Sequence, residues 1–150
     1  MELKTERLKI VPCTEDAVPM ITNQNYDNGN QIPNHLKELS EDPSMLYWGT
    51  WLVLLKSDGT IIGDIGFKGK PDENKAVEIG YGLLEEYWNK GFATEAVGAL
   101  MQWAWETGKV DKIVADTLRD NEGSMRVLEK LNMKKIKTGE TMIDWEINKA

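Results

Sequence analysis

The stretch EYWNKGFATEA, residues 86–96, joins a predicted β-strand to the most regular predicted helix of the chain. A short loop before a helix leaves the first N–H groups of that helix without intrahelical acceptors. These groups point outward together at the positive end of the helix dipole, and the small residues Gly91 and Ala93 let an anion approach them. Lys90 adds a positive charge. The stretch therefore predicts a site for a diphosphate, unless Gly91 only turns the chain.

Two common phosphate-binding motifs are excluded at this loop. A Walker A loop needs Gly-Lys-Ser/Thr, and no such sequence is present. A Rossmann site needs a different glycine spacing and a parallel strand–helix–strand start. The segments before the loop instead predict an antiparallel meander, because apolar runs at 51–55, 61–67 and 77–83 are separated by turn residues.

After the loop, the pattern predicts a parallel crossover and a closing hairpin. Helix Thr94–Thr107 has an apolar stripe at helical spacing and ends at Gly108. A strand at 112–117 follows, so strand, helix and strand form a right-handed unit. The later predicted elements are a helix capped by Asn121 and running to about Leu131, and strands near 134–138 and 142–147.

The first third of the chain is less regular. Leu8–Val11 predicts a short strand, and Thr14 predicts the start of a helix that Pro19 limits. Residues 23–35 are rich in Asn and Gly and predict a loop, followed by a short helix capped by Asn34. The order of all elements predicts a mixed α+β sandwich.

Composition and charge narrow the class of protein. The 150 residues predict one domain, 1–150, and the net charge of −7 argues against nucleic acid as a partner. One Cys excludes an intramolecular disulfide, and one Cys with one His cannot build a Cys/His zinc site, so no metal is expected. No apolar run spans a bilayer and MELKTERLKI lacks the apolar core of a signal peptide. We therefore expect a cytoplasmic protein without a membrane partner.

Several segments beyond the loop extend the pattern over nearly the whole chain. They are TERL at 5–8, IGDIG at 62–66, VEIGY at 77–81, WNKGFATEA at 88–96 and DNEGSMRVLEKL at 120–131. In their order and spacing, these segments resemble the GNAT superfamily of acetyl-CoA-dependent N-acetyltransferases, and most of all its branch of ribosomal-protein-alanine N-acetyltransferases. The chain departs from the usual pattern at Trp88, where the diphosphate loop has Gln or Arg, and at Asn132-Met133, where Gly-Phe is usual.

The resemblance implies a GNAT-type α-β-α sandwich whose mixed, mostly antiparallel sheet is splayed at the cofactor cleft. The strand at 80–83 then diverges from 112–117, and the pantetheine arm of acetyl-CoA completes the open edge like an added strand. A backbone N–H near the thioester carbonyl would stabilise the oxyanion. The implied cofactor contacts are Tyr81, Gly82, Leu83, Leu84, Asn89, Lys90, Gly91, Phe92, Ala93, Thr94, Asn121 and Ser124.

The implied reaction is direct attack of an amine on the thioester, and it suggests two catalytic residues. An amine attacks only when neutral, so an acceptor with a pKa of about 10.4 needs a general base. Glu78 lies on the strand face opposite Ile79 and is the candidate base, directly or through water, unless it is only an ion-paired carboxylate. Ser124 is the candidate proton donor to the leaving thiolate, although Asn121 and Ser124 could serve only as helix-start residues.

Aromatic residues allow two interpretations. The residues Tyr47, Trp48 and Trp51 either line an acceptor pocket or pack on the sheet. Trp103 and Trp105 are two positions apart on a helix and cannot share one face, so Trp105 is assigned to the core.

The predicted function is transfer of an acetyl group from acetyl-CoA to a primary amine, either a protein N-terminus or a small molecule. The alternative is a non-catalytic acyl-CoA-binding regulatory module on the same scaffold, which would keep the loop but need no proton-transfer groups. Cys13 has no His near it in the sequence and is not expected to act as an acyl carrier, and His35 is expected on the surface rather than at the acceptor. Exposed sheet edges in this fold also allow a homodimer.

Overall fold

The computed structural model describes every residue from Met1 to Ala150 and contains an eight-stranded sheet with helices on both faces. The strands are β1 (Leu3–Lys4), β2 (Leu8–Pro12), β3 (Thr50–Leu55), β4 (Ile61–Phe67), β5 (Ala76–Leu83), β6 (Lys112–Leu118), β7 (Lys134–Thr138) and β8 (Met142–Asn148). The helices are α1 (Val18–Asn23), α2 (Gln31–Glu41), α3 (Phe92–Glu106) and α4 (Glu122–Lys130).

The strand order is β1-β2-β3-β4-β5-β6-β8-β7, and β5 and β6 are the one parallel pair. All other neighbours are antiparallel, which confirms the predicted meander of β3, β4 and β5. Helix α3 connects β5 to β6, as a parallel pair requires a crossover. The predicted mixed, mostly antiparallel sandwich is confirmed.

The sheet separates two apolar layers because side chains alternate along each strand. On β3, Trp51 and Val53 belong to the larger core on the side of α3, whereas Leu52 and Leu54 belong to a smaller core under α1 and α2. Both faces of β3 are therefore buried, which explains why this strand is a continuous apolar run. At the far edge, β7 is exposed along its length and has Lys134, Lys135 and Lys137 on the last strand of the sheet.

Helix α3 shows the predicted apolar stripe and the predicted end, since Gly108 follows it in the left-handed region (φ +72°). The interpretation of its tryptophans was wrong in one respect. Trp103 is partly buried and its ring centroid lies 5.1 Å from Trp48 and 5.2 Å from Trp51. Positions 103 and 105 flank the buried stripe from opposite sides, so each side chain folds down onto the sheet.

The first third of the chain contains more helix than the sequence predicted. The segment after Thr14 begins as a single 3₁₀ turn, and Pro19 lies in the first turn of α1 rather than limiting it. The predicted loop at 23–35 is wrong after residue 30, because α2 begins at Gln31 and Asn34 lies inside it instead of capping it. The Asn and Gly residues of this segment favour a loop. The helix forms nevertheless, and Pro33 is compatible with it because the first turn of a helix accepts a proline.

No helix in this structure combines the length and apolar character that a membrane crossing demands.

Candidate active site

A split in the middle of the sheet leads into a cavity. β5 and β6 pair in register at three positions only, and the last pair joins Glu78 to Val114. Beyond Glu78 the two strands diverge, whereas β5 stays paired with β4 up to Leu83. The divergence predicted by the family resemblance is therefore present, and Glu78 marks its vertex.

The backbone groups that face the split come from alternate residues of β5. The Lys68 N–H donates to the Glu78 carbonyl at 2.9 Å and the Leu84 N–H donates to the Ile62 carbonyl at 2.8 Å, so even-numbered residues point towards β4. By alternation, the N–H and C=O groups of Tyr81 and other odd-numbered residues point towards the split. The prediction of Gly82 and Leu84 as backbone contacts was therefore too broad, since their ladder groups face β4.

The loop before α3 presents unpaired donors at one end of the split. Asn89 (φ +60°) and Gly91 (φ +81°) both adopt the left-handed region, and the turn that they make starts α3 at Phe92. The N–H groups of the four residues Gly91–Thr94 have no acceptor within the protein. These unpaired donors lie at the positive end of the helix dipole, in the segment where the sequence predicts an anion site.

A cavity of about 870 Å³ runs from the split to this helix start and on to α4. The residues that line it are Tyr81, Gly82, Leu83, Tyr87, Trp88, Asn89, Gly91, Phe92, Ala93, Thr94, Asp120, Asn121, Glu122, Gly123, Ser124, Arg126, Val127 and Lys130. Ten of the twelve residues predicted to contact a cofactor are in this set. The set also includes residues that were not predicted, among them Tyr87 and the α4 residues Arg126 and Lys130.

The two predicted contacts outside the lining have clear structural reasons. Leu84 packs against the smaller apolar core on the other face of the sheet. The Lys90 side chain is exposed, and its carbonyl accepts a hydrogen bond from Arg7 Nη1 at 3.0 Å. Trp88, the departure from the family pattern, lines the cavity and donates its indole N–H to the Leu83 carbonyl at 2.8 Å.

Ser124 and Asn121 lie together at the start of α4. The Asn121 Oδ1 accepts a hydrogen bond from the Ser124 N–H at 3.1 Å, which is the predicted helix cap. The Ser124 carbonyl accepts a hydrogen bond from the Tyr81 hydroxyl at 3.1 Å, so β5 and α4 are joined across the cavity. Burial raises the pKa of Tyr81, although its bond to Ser124 opposes the shift, and the phenol is neutral at physiological pH.

Glu78 forms an ion pair, and an ion-paired carboxylate is one of the two roles predicted for it. Its Oε2 lies 2.9 Å from Lys68 Nζ, and its side chain is 37% exposed. The hydrogen bond to Glu78 raises the pKa of Lys68, although burial opposes the shift. Glu78 does not line the cavity, because it lies on the face of β5 opposite Ile79. A base at Glu78 would thus act from the vertex of the split, on the face away from α3.

A buried polar cluster on that same face surrounds Asp64, which is opposite Gly82 in the β4–β5 register. Its carboxylate accepts hydrogen bonds from the Tyr26 hydroxyl and from the amides of Gln31 (3.2 Å) and Asn28 (3.4 Å). Burial raises the pKa of Asp64, although these donors oppose the shift. Asn28 also donates to the Gly82 carbonyl at 3.0 Å, so the segment between α1 and α2 is held against β5. The sequence analysis missed this cluster.

Cys13 and His35 are both buried. Burial raises the pKa of the Cys13 thiol to about 11, with Asp64 and Glu15 adding to the shift, so the thiol is a poor nucleophile at neutral pH. The expected surface position of His35 is wrong: its Nε2 lies 2.9 Å from the Cys13 carbonyl and its ring packs against the backbone of Gly49. Neither residue faces the cavity.

The fold is thus an α+β sandwich with a split between its parallel strands and a cavity that reaches the start of the following helix. Residues 7–134 match a family model described as acetyltransferase (GNAT) domain. The chain therefore belongs to the GNAT acetyltransferase family.

Relatives of known sequence and structure agree with this assignment. The uncharacterized N-acetyltransferase YjdG of Bacillus subtilis (strain 168) is 35% identical over 71% of this chain and 64% of its own length. The first curated relatives are matched over 47% to 64% of their lengths, so the chain spans less than two thirds of them.

Two solved structures share the fold over 99% of this chain. Ribosomal-protein-S5-alanine acetyltransferase from Vibrio fischeri superposes with a TM-score of 0.80 at 19% identity, covering 96% of that chain. RimL, a ribosomal alpha-N-protein acetyltransferase in complex with coenzyme A, superposes with a TM-score of 0.80 at 16% identity, covering 98% of that chain.

Proposed function

We propose that this protein transfers the acetyl group of acetyl-CoA to a primary amine, by direct attack of the amine in a ternary complex. The observation that supports this proposal is the continuity of the cavity, which leads from four unpaired helix N–H groups to the open edge of β5. A diphosphate at the first place and an amide-containing arm along the second match the chemistry of coenzyme A.

The residues present fit such a donor. The N–H groups of Gly91–Thr94 would hold the diphosphate, and Asn121 and Ser124 lie on the opposite wall. The outward N–H and C=O groups of Tyr81 would pair with the amides of the arm, which places the thioester near the vertex of the split. Acetyl-CoA supplies an acetyl thioester, whose C–S bond breaks as the C–N bond forms. A β5 N–H that faces the split would stabilise the negative charge on the carbonyl oxygen.

Glu78 would remove a proton from the attacking ammonium group. Its position at the vertex and its exposure leave the carboxylate open to an amine that enters from the α1–α2 face. The Lys68 ammonium nitrogen lies 2.9 Å from Oε2 and holds the carboxylate in place at the vertex. The Ser124 hydroxyl has no partner within the protein and would donate its proton to the departing thiolate, after which solvent reprotonates it.

The acceptor is a primary amine at a protein N-terminus or on a small molecule. The name alpha-N-protein acetyltransferase, borne by a structural neighbour, makes peptide N-termini the first class to test. A screen of peptide N-termini, polyamines and aminoglycosides that follows the release of free coenzyme A identifies the class.

Glu78→Gln and Ser124→Ala test the catalytic assignment. Loss of a general base or acid lowers kcat about 10²- to 10⁴-fold, with the larger effect expected for Glu78 because a thiolate leaves readily. The Kd for coenzyme A, measured by calorimetry, stays within about threefold of the native value, because neither change touches the anion site. Glu73→Gln, at an exposed turn, is the matched control and keeps native turnover.

Two outcomes contradict different parts of the proposal. Native turnover by both variants with a verified acceptor shows that Glu78 and Ser124 are not catalytic. Binding of acetyl-CoA without turnover of any amine instead supports the non-catalytic regulatory module that the same scaffold allows.

A further inference from the structure

Glu95 lies in the first turn of α3, yet its carboxylate does not cap that helix. It reaches the segment before β2, where it accepts hydrogen bonds from the Thr5 hydroxyl, from the Arg7 N–H at 2.9 Å and from Arg7 Nε at 2.8 Å. Thr5 and Arg7 are 90 and 88 positions away from Glu95 in the sequence. The start of α3 is thereby attached to the N-terminal part of the sheet.

Arg7 also contacts the loop that precedes α3. Its Nη1 donates to the Lys90 carbonyl at 3.0 Å, and its guanidinium carbon lies 4.1 Å from the centre of the Phe92 ring. A Cβ at Gly91 would lie 3.3 Å from Arg7 Nη2. One guanidinium group therefore lies against three successive residues at the start of α3, Lys90, Gly91 and Phe92.

The negative charge of Glu95 bears on ligand binding because the residue lies in the first turn of α3, beside the unpaired N–H groups. A carboxylate in the first turn of a helix is attracted to the unpaired N–H groups of that turn. Left without other partners, it would compete with an incoming diphosphate for those donors and would repel it. Three donors from Thr5 and Arg7 occupy both carboxylate oxygens, and the guanidinium cancels the charge.

We propose that Arg7 is a positioning residue for the donor site, which keeps the α3 N–H groups free for a diphosphate by pairing with Glu95 and holding the loop through Lys90 and Phe92. This inference rests on the proposed function, because it takes coenzyme A as the ligand of the cavity. The pair is only partly exposed, with 42% of the Arg7 and 19% of the Glu95 side chain accessible, so solvent screens it incompletely. Hydrogen bonds from Thr5 and Arg7 also hold the pKa of Glu95 below its ordinary value, although partial burial on its own raises it.

The test compares Arg7→Gln, Glu95→Gln and the double variant. Arg7→Gln removes the guanidinium charge and the Nε hydrogen bond from Glu95, while the Thr5 hydroxyl and the main-chain N–H of residue 7 still donate to it. The negative charge of Glu95 is then uncompensated beside the donor site, so the Kd for coenzyme A rises roughly tenfold or more. The double variant also removes the carboxylate, so it recovers most of that loss even though it has lost the ion pair. Arg7→Lys keeps the charge without the bond geometry and gives an intermediate Kd. A purely structural role predicts instead that the double variant binds no better than Arg7→Gln.

The donor S-acetylpantetheine, which lacks the diphosphate, separates this inference from the proposed function. If the inference is correct, Arg7→Gln lowers kcat/KM for acetyl-CoA but leaves kcat/KM for S-acetylpantetheine within about twofold of the native value. Equal losses with both donors, or a raised acceptor KM with an unchanged acetyl-CoA KM, overturn it. A native protein that binds coenzyme A no better than S-acetylpantetheine contradicts the proposed function itself. The control is Lys112→Gln, which removes a 3.6 Å ion pair with Glu146. This variant keeps the native kcat/KM for both acetyl-CoA and S-acetylpantetheine.

Discussion

The two faces of the sheet beside β5 differ in whether their polar groups have hydrogen-bond partners. On the α3 side, four backbone N–H groups of Gly91–Thr94 stay unpaired and open to a cavity. On the α1–α2 side, the carboxylate of Asp64 is buried and surrounded by donors from Tyr26, Asn28 and Gln31. An open set of donors is suited to a ligand that comes and goes, whereas a satisfied cluster fixes the position of the backbone around it.

The largest expected effect tests whether the aromatic residues on the α3 side are core. Trp51 is fully buried, packs against Trp103 and donates its indole N–H to the Tyr47 carbonyl. We expect Trp51→Ala to lower the free energy of unfolding by about 3–5 kcal/mol, measured by urea denaturation. Ile136→Ala, on exposed β7, is the control and changes it by less than about 0.5 kcal/mol.

The alternative role of this aromatic group makes a different prediction. A pocket for the acceptor would leave the stability of Trp51→Ala near the native value and raise the acceptor KM instead. Trp51→Phe keeps most of the packing and provides a folded protein in which to measure that KM if the alanine variant does not fold.

A smaller effect is expected from Asp64→Asn on the opposite face. The new amide group would point its N–H atoms at Tyr26, Asn28 or Gln31, which are themselves donors. We expect a loss of about 1–3 kcal/mol in the free energy of unfolding. A variant as stable as the native protein would mean that the cost of burying the charge equals the value of its hydrogen bonds.

The two faces also predict opposite dependences on pH. Burial raises the pKa of Asp64, so the folded chain holds this proton more tightly and its contribution to stability grows as the pH falls through the folded pKa towards 3.8. Hydrogen bonds lower the pKa of Glu95 against the effect of its partial burial, so its contribution is present above 4.5 and is lost as the pH falls through the folded pKa. Urea denaturation between about pH 3 and 7 should show a steeper acid loss in Asp64→Asn and a shallower one in Glu95→Gln.

The sequence predicted the α3 face better than the α1–α2 face, because the residues that matter on the α3 face are closer together in the chain. The unpaired N–H groups of Gly91–Thr94 lie within one loop and one helix turn, so a contiguous segment, with Gly91 and Ala93, was enough to predict them. The Asp64 cluster joins residues 33 to 38 positions apart, and nothing in the local pattern around Asp64 identifies Tyr26 or Gln31 as partners. Contacts of this kind depend on how α1, α2 and the segment between them pack on the sheet, which a local sequence pattern does not show.

The same reasoning explains why the sequence predicted some features of β5 correctly and not others. Alternation placed Glu78 correctly on the face opposite Ile79, because that depends only on strand period. It could not show which strand edge each backbone group faces, so Gly82 and Leu84 were included among the contacts with Tyr81. Nor could it show that Lys68 lies next to Glu78, since Lys68 follows β4 whereas Glu78 is on β5.

The smallest expected effect concerns the outer half of the sheet. Asp116 and Asp144 are directly opposite each other on β6 and β8. Lys137 is opposite Asp144 on β7, but it forms no ion pair within 4 Å that would offset the repulsion. Like charges in this position destabilise a sheet, so we expect Asp144→Asn to raise the free energy of unfolding by about 0.2–1 kcal/mol. Asp144→Glu keeps the charge and should give no such gain, and a loss in the asparagine variant would contradict the repulsion.

The lysines of β7 have a consequence for self-association. An unpaired outer strand is a template for addition of another chain, and positive side chains along it oppose that addition. Two copies that met along this border would bring the ammonium groups of Lys134, Lys135 and Lys137 from each into close repulsion. The charge on β7 therefore opposes both pairing of two copies along this border and strand-by-strand polymerisation from it.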